Sequence, residues 1–198
     1  WSMKDLFGDL GVTVAFQAPS YLRVSQDKPF APTMRALLVG GEAPSHDDLA
    51  SYPGIDFWNA YGPTETSIIV SLGHIPADYP AGQPLHVGPP MANAVISIRR
   101  ADGTRVPPGC TGEVWLGGVG VCAGYLNNPV TTARVFIDTP EGRMYRSGDL
   151  GRWSRQGTLE LAGRIDQQVK LHGQRVEPAE IEQHLQARHW CPVRRIPS

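Results

Sequence analysis

The chain has 198 residues, 41% of them apolar, and a formal net charge of −1. That balance gives no electrostatic basis for a nucleic acid or an anionic membrane surface as partner, and no apolar run approaches the roughly 20 residues of a membrane span. The opening residues do not read as a signal peptide, so none is expected there. Cys110, Cys122 and Cys191 are odd in number and lack Cys-x-x-Cys spacing, so the expectation is a cytoplasmic protein with neither a disulfide framework nor a zinc ribbon.

Twenty-two glycines and 18 prolines make up about a fifth of the residues, which predicts frequent turns and few long helices. Residues 1–10 read as part of an amphipathic helix, and residues 12–16 as a short β-branched strand. Residues 19–24 read as a helix with Pro19 in its first turn. A second buried strand over 35–39 ends in Gly40-Gly41-Glu42, and Ser45 caps a helix running to about Tyr52. A third strand, 55–58, delivers a loop that starts at Asn59. Strands alternating with helices predict an α/β layer with a mainly parallel sheet, and ligands bind at the carboxyl ends of such strands. Both the Gly40 turn and the Asn59 loop fall there.

The character changes near Pro80. Residues 94–99 and 112–116 read as short strands, with turn signals at Asp102-Gly103 and Pro107-Pro108-Gly109. Strands continue through 152–161 around a Gln156-Gly157 turn, and 131–136 reads as one helical interruption. This predicts a small antiparallel β unit, a barrel or half-barrel. Beyond it, 169–171 and 175–176 form a two-stranded ribbon, and 177–187 a helix with Pro178 early and Ile181 and Leu185 on one face. The division is therefore 1–80, an α/β part; 81–165, a barrel-like part; and 166–198, the beginning of a small α+β part.

Residues 59–67, Asn-Ala-Tyr-Gly-Pro-Thr-Glu-Thr-Ser, gather groups suited to a nucleotide. Tyr61 offers a π-face for a purine, worth roughly 1–3 kcal/mol. Thr64 and Thr66 offer hydroxyls to phosphate oxygens, and Glu65 is a hard oxygen ligand for Mg²⁺. A polar loop after a buried strand is the plainer reading. The glycines of 117–124 do not have dinucleotide-fingerprint spacing and read as turns between barrel strands. His172, His184 and His189 show no metal spacing, and no Gly-x-Ser-x-Gly elbow supports hydrolase chemistry.

Three further stretches accompany that loop. Residues 112–126 read Gly-Glu-Val-Trp-Leu-Gly-Gly-Val-Gly-Val-Cys-Ala-Gly-Tyr-Leu, and residues 145–150 read Tyr-Arg-Ser-Gly-Asp-Leu. Residues 163–173 read Gly-Arg-Ile-Asp-Gln-Gln-Val-Lys-Leu-His-Gly, followed from 175 by Arg-Val-Glu-Pro-Ala-Glu-Ile-Glu. In this order the four blocks resemble the adenylate-forming superfamily, and most closely the amino-acid adenylation domains of nonribosomal peptide synthetases. The resemblance covers residues 12–185.

The resemblance implies ATP and Mg²⁺ as cofactors, an amino-acid substrate, and a carrier domain whose phosphopantetheine thiol takes the product, beside neighbouring synthetase domains. It implies that Asn59 bonds the adenine amino edge, that Tyr61 stacks on the ring, and that Gly41 and Glu42 pass its other face. Asp149 would hold the ribose hydroxyls and Arg164 the ribose and phosphate; Thr64 and Glu65 would serve the phosphates and the metal. Leu161 stands where an aromatic contact to the nucleotide is common. Phe16, Leu38, Gly40, Ala60, Ile68 and Ile69 would line an apolar substrate pocket, Asp166 would be a hinge, and Lys170 would face an incoming thiol or simply be solvated. The family's phosphate loop and amine-binding aspartate are expected before Trp1 and its catalytic lysine after Ser198. An internal segment, inactive alone, is the expectation. Residues 189–198 depart from the pattern and read as an exposed tail or the product of a shifted reading frame. An acyl- or aryl-CoA ligase of the same superfamily and a non-catalytic nucleotide-binding remnant are the alternatives; an upstream amine-binding aspartate separates the first, ATP affinity the second.

Overall fold

The computed structural model describes residues 3–25, 30, 32–76, 78–166, 168–171, 174–176, 178, 181 and 184–185. The predicted helix over 177–187 falls largely outside these residues, as do His172, His189 and the 189–198 tail; of Lys170 only the backbone is described.

The first half runs α1 (Met3–Asp9), β1 (Val14–Gln17), α2 (Pro19–Val24), β2 (Ala36–Gly40), α3 (His46–Ala50), β3 (Asp56–Tyr61) and β4 (Ser71–Ile75), with a 3₁₀ turn at Thr64–Thr66. The strands lie in the order β1-β2-β3-β4. The first three are parallel, and β4 returns antiparallel on β3. Strand alternation divides the sheet's two faces. One face sends Leu37, Val39, Phe57 and Ile75 into a core closed by Leu22, Phe30, Met34 and Tyr52. The Tyr52 hydroxyl donates to the Leu22 carbonyl at 3.0 Å, fastening the end of α3 to α2.

The capping signal at Ser45 is realised as a capping box. Its hydroxyl accepts from the Asp48 N–H, and the Asp48 carboxylate accepts from the Ser45 N–H at 2.7 Å. The same carboxylate, 1% exposed, takes two hydrogen bonds from Arg23 on α2, at 2.9 and 2.8 Å. Pro19 opens α2 at its first positions, where a missing N–H costs nothing.

One boundary differs from expectation in a way that matters. The third strand does not stop at Trp58 but continues through Asn59 and Ala60 to Tyr61, because β4 pairs with it from Phe57 onward, Tyr61 opposite Ser71. Asn59 and Tyr61 are therefore strand residues, and the loop proper begins at Gly62.

The second half comprises β5 (Ala94–Arg99), β6 (Gly112–Gly118), α4 (Pro129–Val135), β7 (Phe136–Thr139), β8 (Gly142–Trp153) and β9 (Leu159–Arg164), then the ribbon β10 (Val169–Leu171) and β11 (Gln174–Val176). The antiparallel order is β5-β6-β8-β7, with β9 on β8, which makes the expected half-barrel. Val114, Leu116, Ile96, Ile98, Phe136, Tyr145 and Leu159 fill it, Tyr61 and Val70 complete that core from the first half, and Val87 from the connection between β4 and β5. Backbone bonds between Val87, Gly88 and Leu159 tie that connection to β9. The glycine-rich stretch turns at 119–120 just after β6, as expected between barrel strands, and then runs on as an irregular strap to α4, laid over the 3₁₀ turn.

The Arg23–Asp48 pair supplies a stability prediction. Burial alone would raise the Asp48 pKa, but hydrogen bonds from Arg23 and Ser45 outweigh it and hold the carboxyl below its usual range. A depressed folded-state value means that the stabilisation is full above the ordinary carboxylate range and is lost as pH falls through the lowered value. Asp48→Ala should cost the full-length protein roughly 2–4 kcal/mol at neutral pH. Urea titrations should show that difference shrinking as pH drops below the carboxylate range, and a pH-independent difference would refute the charge-based account.

Candidate functional site

The carboxyl end of β3 meets β8 and the end of β9. The bridge between them is the Asp149 carboxylate. Tyr61 donates its hydroxyl to Asp149 Oδ2 at 2.6 Å, and Arg164 donates from Nη1 to Oδ1 at 2.5 Å. Arg164 also clamps Asp166 through Nε and Nη2, both at 2.7 Å, and reaches Gln168 Oε1 at 2.8 Å. Burial would lower the Arg164 pKa, but Asp166 and Asp149 more than reverse this, so the guanidinium stays charged at every working pH. Burial first, and the Asp149 charge second, push the Tyr61 phenol well above its usual value, which keeps it a donor.

Asp149 owes its position to an irregularity in β8. The register between β6 and β8 shifts between Glu113 and Trp115, and that between β8 and β9 shifts between Leu150 and Gly151. Such bulges re-aim a side chain. Gly148 takes φ of +74°, which a side-chain-bearing residue resists. The Ser147 hydroxyl donates to the Val114 carbonyl at 2.7 Å and accepts the Asp149 N–H at 3.0 Å, standing in for the lost ladder bond.

The loop after β3 holds the second group. Thr64 is exposed, whereas Glu65 is 5% exposed and Thr66 is buried. The Tyr125 hydroxyl donates to Glu65 Oε1 at 2.6 Å, and burial followed by that bond raises the Tyr125 pKa far above its usual value. Ser67 and Ile68 follow with φ of +62° and +75°. For a β-branched residue this is a strained backbone, of the kind that gathers at functional sites.

Phe16, Leu38 and Trp58 lie opposite one another on the sheet face that carries no core, with Gly40 opposite Ala60 on β3. A Cβ on Gly40 would meet the Ala60 carbonyl at 2.8 Å and the Phe16 ring at 3.1 Å, so only glycine lets that ring lie across β2. Phe16 is 47% and Ile68 64% exposed, and Ile69 is half-buried. Gly41 is exposed with φ of +87° and nothing within 4 Å of its would-be Cβ. Glu42 faces α2, where its Oε1 accepts the Ser20 N–H at 3.3 Å. Asn59 is buried on the opposite side from Phe16 and donates to the His86 carbonyl at 3.2 Å.

A family model described as AMP-binding enzyme matches residues 2–126. The chain belongs to the AMP-binding enzyme family. Gramicidin S synthase 2 of Brevibacillus brevis is 40% identical over 174 residues, 83% of this chain and 4% of that protein. Tyrocidine synthase 1 of Brevibacillus parabrevis is 38% identical over 186 residues, 89% of this chain and 16% of that protein. Among solved structures, an adenylation domain of Vibrio cholerae in complex with glycyl-adenosine-5'-phosphate superposes with a TM-score of 0.82 at 31% identity, covering 94% of this chain and 38% of that one. The chain thus spans a small part of the curated relatives and under half of that solved domain.

Within this AMP-binding fold, Tyr61, Asp149 and Arg164 come together in one network that includes the Asp166 side chain. Glu65 sits on the loop that follows Tyr61. Glu42 and Asn59 hold neighbouring segments of the fold through the bonds described above. Sequence reading missed Tyr125, Ser147 and Gln168. The only signal for the first two is their place inside the motifs, Gly-Tyr-Leu and Arg-Ser-Gly-Asp, since neither residue type carries chemistry by spacing. Leu161, at the expected aromatic position, packs partly buried against the half-barrel core.

The strained loop is directly testable. Asn tolerates positive φ far better than Ile, and Ile68 buries little surface. Ile68→Asn should therefore stabilise the full-length protein by about 1 kcal/mol, read as a higher urea midpoint at unchanged slope. A lower midpoint would mean that the exposed side chain makes contacts that outweigh the strain.

Proposed function

We propose that this chain is part of an amino-acid adenylation domain that forms an aminoacyl adenylate from ATP and passes the aminoacyl group to a carrier thiol. The observation that carries this reading is the Asp149 carboxylate, held between Tyr61 at the carboxyl end of β3 and Arg164 at the end of β9. The glycyl-adenosine-5'-phosphate bound to the Vibrio cholerae adenylation domain supports an amino-acid substrate, and a solved relative described as a nonribosomal peptide synthetase protein containing adenylation and PCP domains, 28% identical with a TM-score of 0.86, supports a carrier partner.

In this reading a substrate carboxylate oxygen attacks the α-phosphorus of ATP, the bond to the pyrophosphate oxygen breaks, and pyrophosphate leaves. The thiol of a phosphopantetheine arm then attacks the acyl carbon, and AMP leaves. Asp149 accepts from the ribose hydroxyls, Arg164 steadies the ribose and phosphate, and Gly41 lets the nucleotide approach the backbone. Tyr61 and Asn59 border the adenine, with Glu42 beside them, and Thr64 donates to phosphate. Phe16, Leu38, Gly40, Ala60, Ile68 and Ile69 make an apolar wall for the substrate side chain. Among the described residues no three His, Cys, Asp or Glu side chains gather to hold a metal. The buried Glu65 carboxylate suits Mg²⁺, which takes one or two carboxylates and completes its shell with substrate phosphates. Glu65 would hold that ion, whose chemistry is to neutralise phosphate charge. Among the described residues no helix is long and apolar enough to cross a membrane. A cytoplasmic setting and the division at 1–80, 81–165 and 166–198 belong to the same proposal.

Loss of charged hydrogen bonds to the ribose should cost about 3 kcal/mol, or some hundredfold. In the full-length enzyme, Asp149→Asn, which retains an acceptor for Tyr61, should lower kcat/KM for ATP by about that factor in pyrophosphate exchange and leave amino-acid affinity unchanged. Unaltered ATP kinetics would remove the ribose assignment.

Asp166 is proposed as the hinge. Its carboxylate accepts from the Gln168 N–H at 3.2 Å as well as from Arg164, so the chain turns just past β9. Proline fixes φ and would hold one orientation. Asp166→Pro should spare pyrophosphate exchange more than carrier loading, measured on the same folded variant. Equal loss of both, or no loss, would contradict the hinge.

A further inference from the structure

The glycine-rich strap has no role in the chemistry just described, yet it holds the very loop that carries Glu65. The Cys122 N–H donates to the Glu65 carbonyl at 3.0 Å, and the Ser67 hydroxyl donates to the Gly120 carbonyl at 3.0 Å. A Cβ on Gly120 would sit 3.0 Å from the Thr66 carbonyl, so the strap lies directly on three consecutive residues of the loop. It then turns at Gly124, and Tyr125 reaches back so that its hydroxyl meets Glu65 Oε1 at 2.6 Å.

Tyr125 is itself anchored from the half-barrel. Its N–H donates to Thr132 Oγ1 on α4 at 2.9 Å, and its ring meets the buried Phe136 ring edge-on, centroids 5.7 Å apart. The phenol is thus fixed by α4 and β7, whereas Glu65 stands on a 3₁₀ turn followed by two residues at positive φ. A glutamate has three side-chain torsions, and a single short bond from a rigid donor selects among them. Hydrogen bonds to a ligating carboxylate typically matter for the bound metal, and their loss costs about 10–100-fold in affinity or activity.

We propose that Tyr125 is a positioning residue that orients the Glu65 carboxylate for a divalent cation carried on the nucleotide. The proposal rests on the reading of Glu65 as a metal ligand. Tyr125 acts on the cation only through its hydrogen bond to Glu65 Oε1. The half-barrel would in this way set the geometry of a group that belongs to the α/β half.

The test uses the full-length protein with Tyr125→Phe, Glu65→Gln and the double variant. Mn²⁺ binding in the presence of ATP, followed by the electron paramagnetic resonance of free Mn²⁺, is the first readout. The Mg²⁺ concentration for half-maximal pyrophosphate exchange is the second, and thermal unfolding confirms the fold. Tyr125→Phe should weaken ATP-dependent Mn²⁺ binding about tenfold and raise the Mg²⁺ requirement in parallel, with most of the rate restored at saturating Mg²⁺. The double variant should bind Mn²⁺ no more weakly than Glu65→Gln, because Tyr125 acts only through that carboxylate. Wild-type Mn²⁺ affinity in Tyr125→Phe beside a weakened Glu65→Gln overturns the positioning role alone, as does an additive double variant. Wild-type affinity in Glu65→Gln overturns the metal-ligand reading itself. Thr132→Val, which loosens the Tyr125 backbone but keeps the phenol, should weaken Mn²⁺ binding to a smaller degree. Unchanged binding in the folded Thr132→Val protein also counts against the proposal.

Discussion

The carboxylate of Asp149 is the point at which the halves of the molecule are joined. It accepts from a strand of the parallel sheet through Tyr61 and from the last strand of the half-barrel through Arg164. A charged acceptor with two well-aligned donors is stronger than neutral bonds, and it rigidifies all three side chains together. The Tyr61 ring lies within the half-barrel core while its backbone belongs to β3, so packing and hydrogen bonding pull in the same direction. Arg164 extends the network beyond β9 to Asp166 and Gln168. A ribose taking the place of one donor on Asp149 would therefore alter the partners of the residue that clamps the proposed hinge.

The same logic governs Glu65. A buried carboxylate is costly unless its oxygens are served, and the strap serves both its side chain and its backbone carbonyl. The strain stored at Ser67 and Ile68 is tolerated because the surrounding bonds over-determine the loop. The sheet face behind it follows a simpler rule. Where α2 and α3 cover the sheet, Leu37, Val39 and Phe57 are buried; on the other face Phe16 lies across Gly40 with much of its ring in the open. The apolar character proposed for the substrate wall is thus a property of the uncovered face, and the core is the property of the covered one.

Much of the architecture was legible from the residues themselves. Local signals carried it: Pro19 at the start of α2, Ser45 at the cap of α3, the β-branched run leading into β1 and the apolar run of β2. So did the turn pairs that separate β5 from β6 and β8 from β9. These are decided by neighbours within a few positions, and the sequence contains those neighbours. The end of β3 was not legible in this way. Asn59-Ala60-Tyr61 precedes Gly-Pro and reads as loop, but pairing with β4 extends the strand, and that partner lies ten or more residues further on.

The residue types that a nucleotide and its metal would need were present in the sequence, together with the four ordered motifs that mark the family. Chemistry and order are properties of the chain, and they determined the fold class and the candidate side chains. Only the tertiary structure decided how those side chains are used. Tyr61 donates to a carboxylate 88 positions away, and Tyr125 to one 60 positions away. Ser147 fills a bulge whose existence depends on two strand registers at once. Separations of that size leave no trace in local pattern, because the contact is created when the half-barrel closes against the parallel sheet.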